Sequence, residues 1–239
     1  MKQKSIILSA SEVRAVLDGH MTQFRRVVKP QPPAGVALVI PGGKPVFLEW
    51  EPPRAPYADA APMHQQPKPP FAVGDTLWVR ETFADVNSEC GPGFAYRADG
   101  AFRQPDYDGP DYGTGPSFDY DKYPNGSFTM WYSDLLNGCD GHSWKPSIHM
   151  PRWASRITLA VDDVWVERAR DISDEDALAS GCWRGKDQYF HSTLHPTKGT
   201  YQCWVSAKQA FEMLWKQRHG PESWDHDWVW VGKFRRVEP

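Results

Sequence analysis

The sequence predicts an α+β protein in which a small curled β-sheet or barrel is flanked by short helices. Segments that alternate apolar and polar residues, the pattern of half-buried strands, recur along the chain. Short segments with helix start and stop signals lie between them. Strands and helices do not alternate in the βαβ rhythm that a parallel sheet requires, so a curled sheet or barrel is favoured.

Composition narrows the functional class. The chain has 239 residues, of which 40% are hydrophobic and 13% aromatic, enough for the core of the single domain that we predict over 1–239. The net charge of −3 excludes a globally basic nucleic-acid binder, so any anion site must be local. Four cysteines without a CxxC pair, and the absence of a signal-peptide pattern or long apolar run, predict a cytoplasmic protein without membrane contact.

The first predicted elements are one helix and two strands. "SASEVRAVLDG" opens with a capping box at Ser9 and Glu12 and ends at Gly19, which predicts a helix of about two turns. "GDTLWVRETF" predicts a strand. "RWASRITLAVDDVWVERARDI" predicts either one strand with a bend or two consecutive strands, divided near Asp162 and Asp163.

The later part of the chain predicts two more helices and a closing strand. "DISDEDALASG" is typical of a short helix capped by Ser173 and closed by Gly181. A longer helix is predicted over 205–219, and its apolar side consists of Ala207, Ala210, Phe211, Leu214 and Trp215. "DWVWVGKFRRV" predicts the final strand.

Two segments interrupt this pattern, and we interpret both as loop-rich insertions. Residues 30–70 are crowded with proline, which disfavours long regular structure, although Val36–Ile40 and Val46–Glu49 would suit a short hairpin. Residues 84–143 are acidic and aromatic, with eight acidic and three basic residues between 84 and 122. This second insertion either decorates one face or is partly mobile, and it is a candidate surface for a protein partner.

The turn "GHMTQFRR" carries the first candidate site. The range 14–29 has four basic residues and one acidic residue. A guanidinium pairs with phosphate through two parallel hydrogen bonds, and hydroxyl and amide groups can read the edge of a base. The predicted ligand-binding residues here are Thr22, Gln23, Arg25 and Arg26. The alternative is that an arginine pairs with an acid of the fold, such as Glu81 or Asp75.

The segment "KPSIHMPRWASR" carries the second candidate site. Its prolines predict a rigid, non-helical approach to the following strand. Its ligand-binding candidates are Lys145, His149, Arg152, Trp153 and Arg156. The histidine could act as an acid or base, and the tryptophan could stack on a base. The alternatives are a histidine bonded to a backbone carbonyl and a tryptophan that belongs to the core.

Five motifs in the same order resemble the ASCH domain of the PUA-like superfamily. They are "VLDGHMTQFRRVVKPQP", "GDTLWVRETF", "WKPSIHMPRWASRITLAV", "DISDEDALASG" and "DWVWVGKFRRV". The chain is most similar to the phage and prophage branch, whose members often carry the label morphogenetic protein. The resemblance implies a PUA-like β-barrel with short helices across its ends and a role in RNA or modified-nucleotide metabolism.

The resemblance also permits a test of one enzymatic activity. An amidohydrolase branch acts on N4-acetylcytidine through a turn G-x-K-T-x-T-x-R and a glutamate of a later helix. The lysine, second threonine and glutamate positions fall on Met21, Phe24 and Ser180, all of which depart from the pattern. Methionine cannot act as a base or cation, and phenylalanine offers no nucleophilic oxygen. That activity is therefore predicted to be lost, and whether the chain is an enzyme stays open. The catalytic candidates that remain are Thr22, Glu81 and His149.

The sequence thus predicts a nucleic-acid or nucleotide binder, with RNA favoured, in which the two basic clusters meet at one cleft. That convergence is implied by the resemblance alone. A hydrolase that acts on a modified nucleoside or on RNA, and a phage protein-interaction factor that uses 84–143, stay open as alternatives. No cofactor is predicted. A zinc site at Cys139 and His142 is disfavoured because no second close pair of ligands exists.

Overall fold

The computed structural model describes residues 3–31, 68–104, 120–124, 126–139, 143–184, 189–191 and 204–237. The hairpin predicted at Val36–Ile40 and Val46–Glu49 lies outside these residues, as does His142 of the disfavoured zinc pair. None of the helices in the described ranges has the length and apolarity needed to span a membrane.

Strands and α-helices alternate irregularly along the chain. The strands are β1 (Gln3–Ile7), β2 (Gln23–Val27), β3 (Thr76–Arg80), β4 (Phe83–Ser88), β5 (Gly91–Tyr96), β6 (Phe102–Arg103), β7 (Met130–Trp131), β8 (Thr158–Arg168), β9 (Cys182–Arg184), β10 (Tyr189–His191) and β11 (Trp228–Val237). The helices are α1 (Ala10–Leu17), α2 (Tyr132–Asn137), α3 (Asp174–Ala179), α4 (Ala207–His219) and α5 (Ser223–His226).

These strands form three sheets. Their hydrogen-bonded orders are β1-β3-β8-β11-β2, β6-β5-β4-β7 and β10-β9. The α+β class is confirmed. The described strands do not close into a barrel, because the first order ends at β1 on one side and at β2 on the other. Strand β8 is continuous through Asp162 and Asp163, so the alternative of two separate strands is wrong.

The chain is divided into two compact units. Unit 1 takes the described residues within 1–4, 15–76 and 159–236, and unit 2 takes those within 5–14, 77–158 and 237–239. That residues 1–239 form a single domain remains a prediction.

The core of unit 1 lies under α4. This helix buries the predicted apolar side, and Ser206 caps its first turn by accepting a hydrogen bond from the Gln209 backbone N–H. Aromatic and small residues fill the rest of the core. They include Trp165, Ile172, Ala177, Trp224 and Val231.

Strand β2, which carries Arg25 and Arg26, pairs antiparallel with β11. In this register Phe24 lies opposite Gly232 and Arg25 lies opposite Val231.

Unit 2 corrects the interpretation of 84–143 as entirely loop-rich. Strands β4 and β5 form an antiparallel hairpin in which Phe83 is paired with Tyr96. Residues 83–86 of β4 and 93–96 of β5 are all buried. A strand that is covered on both faces lacks the polar alternation by which a strand is recognised. Asp85 and Gly93, which lie among these residues, are atypical of a buried strand, and the sequence pattern of the segment therefore predicts an acidic loop.

Candidate functional site

Arg25 is buried inside unit 1. Its Nη2 donates to Glu167 Oε1 at 2.9 Å, and its Nη1 donates to the Ser180 hydroxyl. Asp176 Oδ2 lies 4.0 Å from Nη2. The guanidinium side chain is 1% exposed, and the Phe211 ring centroid lies 5.5 Å from its Cζ. The alternative of an arginine paired with an acid therefore holds here, although the partner is Glu167 and not Glu81 or Asp75.

The electrostatics of Arg25 follow from this burial. Desolvation lowers the pKa of Arg25, and the Glu167 and Asp176 carboxylates oppose that shift. Because guanidinium stays protonated in proteins, the group is a buried cation neutralised by two acids. Its geometry does not support the predicted contact with a ligand phosphate.

The rest of the turn is tied to α3. Gln23 Nε2 donates to Asp176 Oδ1 at 2.7 Å, and the Thr22 backbone N–H donates to the Ala179 carbonyl at 2.8 Å. The side chain of Thr22 is exposed, whereas that of Gln23 is buried. Thr22 and Gln23 are therefore tied to the α3 segment by hydrogen bonds. The side-chain amide of Gln23 already has the Asp176 carboxylate as its partner.

Arg26 differs from its neighbour. It is half-buried, its Nη1 donates to the Arg25 carbonyl at 3.0 Å, and its Cζ lies 5.6 Å from the centroid of the Phe24 ring. Adjacent strand residues point to opposite faces, and of the two arginines only Arg25 is buried.

In unit 2, Arg156 forms a two-carboxylate cluster. It donates from Nε and Nη2 to the two oxygens of Glu81, both at 2.9 Å, and from Nη1 and Nη2 to Asp99 at 2.8 and 3.0 Å. Its Cζ lies 4.0 Å from the Tyr96 ring centroid. Burial raises the pKa of Glu81, and the Arg156 hydrogen bonds oppose that shift. Both oxygens of Glu81 are thus occupied, and its geometry does not support a catalytic role.

Lys145 is held by Asp85. The backbones of Lys145 and Phe83 form an isolated antiparallel bridge with hydrogen bonds of 2.8 and 3.2 Å. The Lys145 side chain is 37% exposed, and its ammonium forms an ion pair with the buried Asp85 carboxylate. Burial alone would raise the pKa of Asp85, but Lys145 and the Ser127 backbone N–H lower it. The carboxylate therefore stays ionised and fixes the ammonium.

One pocket in unit 2 has a volume of about 330 Å³. Aromatic, proline and basic residues line it, namely Phe83, Pro124, Lys145, Pro146, His149, Pro151 and Trp153. Pro146 and Pro151 each precede a short 3₁₀ turn, Ser147–His149 and Arg152–Ala154, so the approach that the sequence predicted to be non-helical contains two short helical turns. This approach places the imidazole and the indole at one pocket.

Trp153 and His149 differ in their surroundings. The Trp153 ring is half-buried and packs against Phe94 and Tyr123, with centroids 5.1 and 5.4 Å away. His149 is exposed, and its backbone N–H donates to the Pro146 carbonyl at 3.0 Å. Trp153 therefore serves the core and still presents part of its surface to the pocket.

The structure brings together some of the predicted site residues and separates others. Lys145, His149 and Trp153 line one pocket, while the neighbouring Arg152 is exposed and is not among the lining residues. The turn residues belong to unit 1 and the second cluster to unit 2, so their meeting in one cleft stays a prediction. Sequence reasoning missed Asp85, Glu167 and Asp176, the partners of the basic groups. No spacing signal could have found them. Asp85 lies 60 positions from Lys145, and Glu167 and Asp176 lie 142 and 151 positions from Arg25.

Within the described ranges, no three His, Cys, Asp or Glu side chains are placed to hold a metal ion. Cys139 is an exposed free thiol. Comparison of the chain with models of protein families, with curated proteins and with solved structures finds no match.

Proposed function

We propose that this protein binds a nucleotide or a nucleic-acid segment, with RNA favoured, through the pocket of unit 2. We also propose that the chain is related to the ASCH domain of phage and prophage type, within the PUA-like superfamily. The order of five sequence motifs supports this relationship. The observation that carries it is that Lys145, His149 and Trp153, three residues chosen from the sequence for base and phosphate recognition, line one pocket.

The size and chemistry of the pocket suit part of a nucleotide. About 330 Å³ is at the lower end of the range for small-molecule sites, which are mostly apolar with a few convergent polar groups. The Trp153 ring can stack on a base, an interaction that contributes on the order of 1–3 kcal/mol. The Lys145 ammonium and the His149 imidazole can donate to or accept from the ligand.

The hydrolase alternative has less support. Both oxygens of Glu81 accept hydrogen bonds from Arg156. We therefore propose binding without turnover.

Binding to a panel of single-stranded RNA, single-stranded DNA and free nucleotides tests this proposal. We expect saturable binding that Trp153→Leu weakens about tenfold, which corresponds to the loss of one stacked base. Trp131→Leu is the matched control, since Trp131 is a half-exposed tryptophan of unit 2 that does not line the pocket.

Because Trp153 packs in the core, Trp153→Phe serves as the variant that keeps a ring, and circular dichroism checks that each variant is folded. His149→Ala is compared with His226→Ala, an exposed histidine of unit 1. The proposal is rejected if no probe binds, or if folded Trp153 and His149 variants bind every probe as tightly as their controls do.

A further inference from the structure

Resting on the proposed function, we infer that the pocket of unit 2 recognises the ring of its ligand and contributes little to phosphate binding. The ligand class is an uncharged flat heterocycle whose edge carries hydrogen-bond acceptors, such as a nucleobase or a nucleoside. The inference stands on the geometry of the pocket wall, its backbone amides and its charge.

The wall offers few backbone donors. Free backbone N–H groups are one of the main kinds of donor with which proteins bind phosphate, and proline has none. Three of the seven lining residues are Pro124, Pro146 and Pro151.

The amides of three further lining residues are already in use. Phe83 and Lys145 donate their backbone N–H groups to each other's carbonyl oxygens, and His149 donates to Pro146. The wall therefore lacks the array of free amides that cradles a phosphate in anion-binding loops.

The charge of Lys145 in the pocket lining is compensated, because its ammonium is paired with the buried Asp85 carboxylate. A phosphate that approached the ammonium would also approach this carboxylate, so attraction and repulsion would largely cancel.

Asp85 cannot easily move away from Lys145. Its Oδ2 accepts from the Ser127 hydroxyl at 3.1 Å and from the Phe128 backbone N–H at 3.3 Å, and also from the Ser127 backbone N–H. Arg156, another cation of unit 2, is likewise neutralised by Glu81 and Asp99.

The remaining surface suits a ring. Trp153 presents a partly exposed aromatic side chain, Phe83 and the three prolines give apolar walls, and an ammonium has three N–H donors, of which Asp85 does not take all. A donor on an otherwise apolar wall matches a keto oxygen or ring nitrogen, and the Lys145–Asp85 pair fixes where that donor lies.

Titration calorimetry with nucleosides, their 5′-monophosphates and ribose 5-phosphate, between 50 and 500 mM KCl, tests the inference. We expect each nucleoside to bind within about threefold of its monophosphate, and ribose 5-phosphate not to compete. The logarithm of affinity should fall with the logarithm of salt concentration with a slope of less than about one.

Two outcomes overturn the inference while leaving nucleotide binding intact. The first is a monophosphate that binds tenfold or more tightly than its nucleoside, or competition by ribose 5-phosphate. The second is binding of oligonucleotides with a slope of about two or more, or without any binding of nucleosides. If no nucleoside, nucleotide or oligonucleotide binds, the proposed function fails and the inference fails with it.

The double variant Asp85→Asn/Lys145→Gln gives an independent test because it removes both charges and keeps polar groups at both positions. We expect it to weaken a nucleoside and its 5′-monophosphate by factors that agree within about threefold, whereas recognition of phosphate by Lys145 would require the monophosphate to lose tenfold or more relative to the nucleoside. Lys233→Gln, which removes an exposed charge of unit 1, is the control. The salt series on the wild-type protein decides the question if the double variant does not fold.

Discussion

Met21 and Ser180 lie opposite each other in an isolated antiparallel β-bridge. Both residues are buried, at 4% exposure each. They are the two positions at which the ASCH resemblance expects a lysine and a glutamate. In unit 1 these positions are joined as an apolar and a small polar residue. This pairing is consistent with a structural role for the turn.

The two adjacent arginines of the turn should differ sharply in their effect on stability. Arg25→Met should lower the free energy of unfolding by about 2–4 kcal/mol, because it leaves Glu167 and Asp176 without their buried cation. Arg26→Met should change it by less than about 1 kcal/mol, as is usual for a partly exposed charge. Urea unfolding at pH 7 measures both values. Equal losses for the two variants would contradict the structural role of Arg25.

The Asp85 carboxylate should make stability fall in acid. Its folded-state pKa is lowered, so the unfolded chain binds the proton more tightly, and the Asp85 contribution to the free energy of unfolding is present above about pH 4 and lost as the pH falls through the folded-state pKa. From pH 7 to pH 3, Asp85→Asn should therefore lose less stability than the wild type. Urea unfolding at both pH values tests this, and equal losses would show that Asp85 does not contribute.

Cys182 should resist alkylation in the native protein. Burial raises the pKa of its thiol to about 12, so the reactive thiolate at pH 8 is roughly a thousandfold or more scarcer than for an ordinary cysteine. Cys90 and Cys139 are exposed and should react first with iodoacetamide. Peptide mass mapping over time follows each site, with urea-unfolded protein as the control in which all three react. Labelling of native Cys182 at the rate of Cys139 would be inconsistent with its burial.

Gly232 should not tolerate a methyl group. A Cβ at this position would lie 2.6 Å from Phe24 and 2.7 Å from Phe71, two buried rings that contact each other edge to face. Gly232→Ala should therefore destabilise the fold by about 1–3 kcal/mol through overpacking. Thermal unfolding measures the loss, and the added change Phe71→Leu should restore part of it. If the second change makes no difference to the loss, the predicted collision is not its cause.

Much of the fold could be predicted because its signals are local. The capping box of Ser9 and Glu12 is present, with Ser9 N–H donating to Glu12 Oε2 at 2.7 Å. The apolar side of α4 is buried as its spacing predicts. Both features depend on residues within one or two helical turns, so a short stretch of sequence contains all the information they need.

The hairpin of β4 and β5 shows why other parts could not be predicted. Its strands are buried on both faces, and burial on the second face comes from distant parts of the chain, such as Tyr123 and Trp153 against Phe94. Without knowledge of these distant contacts, the sequence pattern of the segment predicts an acidic loop.

The sequence by itself determined where the basic, aromatic and proline residues lie along the chain, and therefore which side chains were candidates for binding. Only the tertiary structure decided which of the charges are available, because three of the candidate cations are neutralised by acids far away in sequence. Arg25 meets Glu167, Lys145 meets Asp85 and Arg156 meets Glu81. The physical reason is that a buried charge needs a partner within a few ångströms in space, and chain folding, not local spacing, supplies that partner.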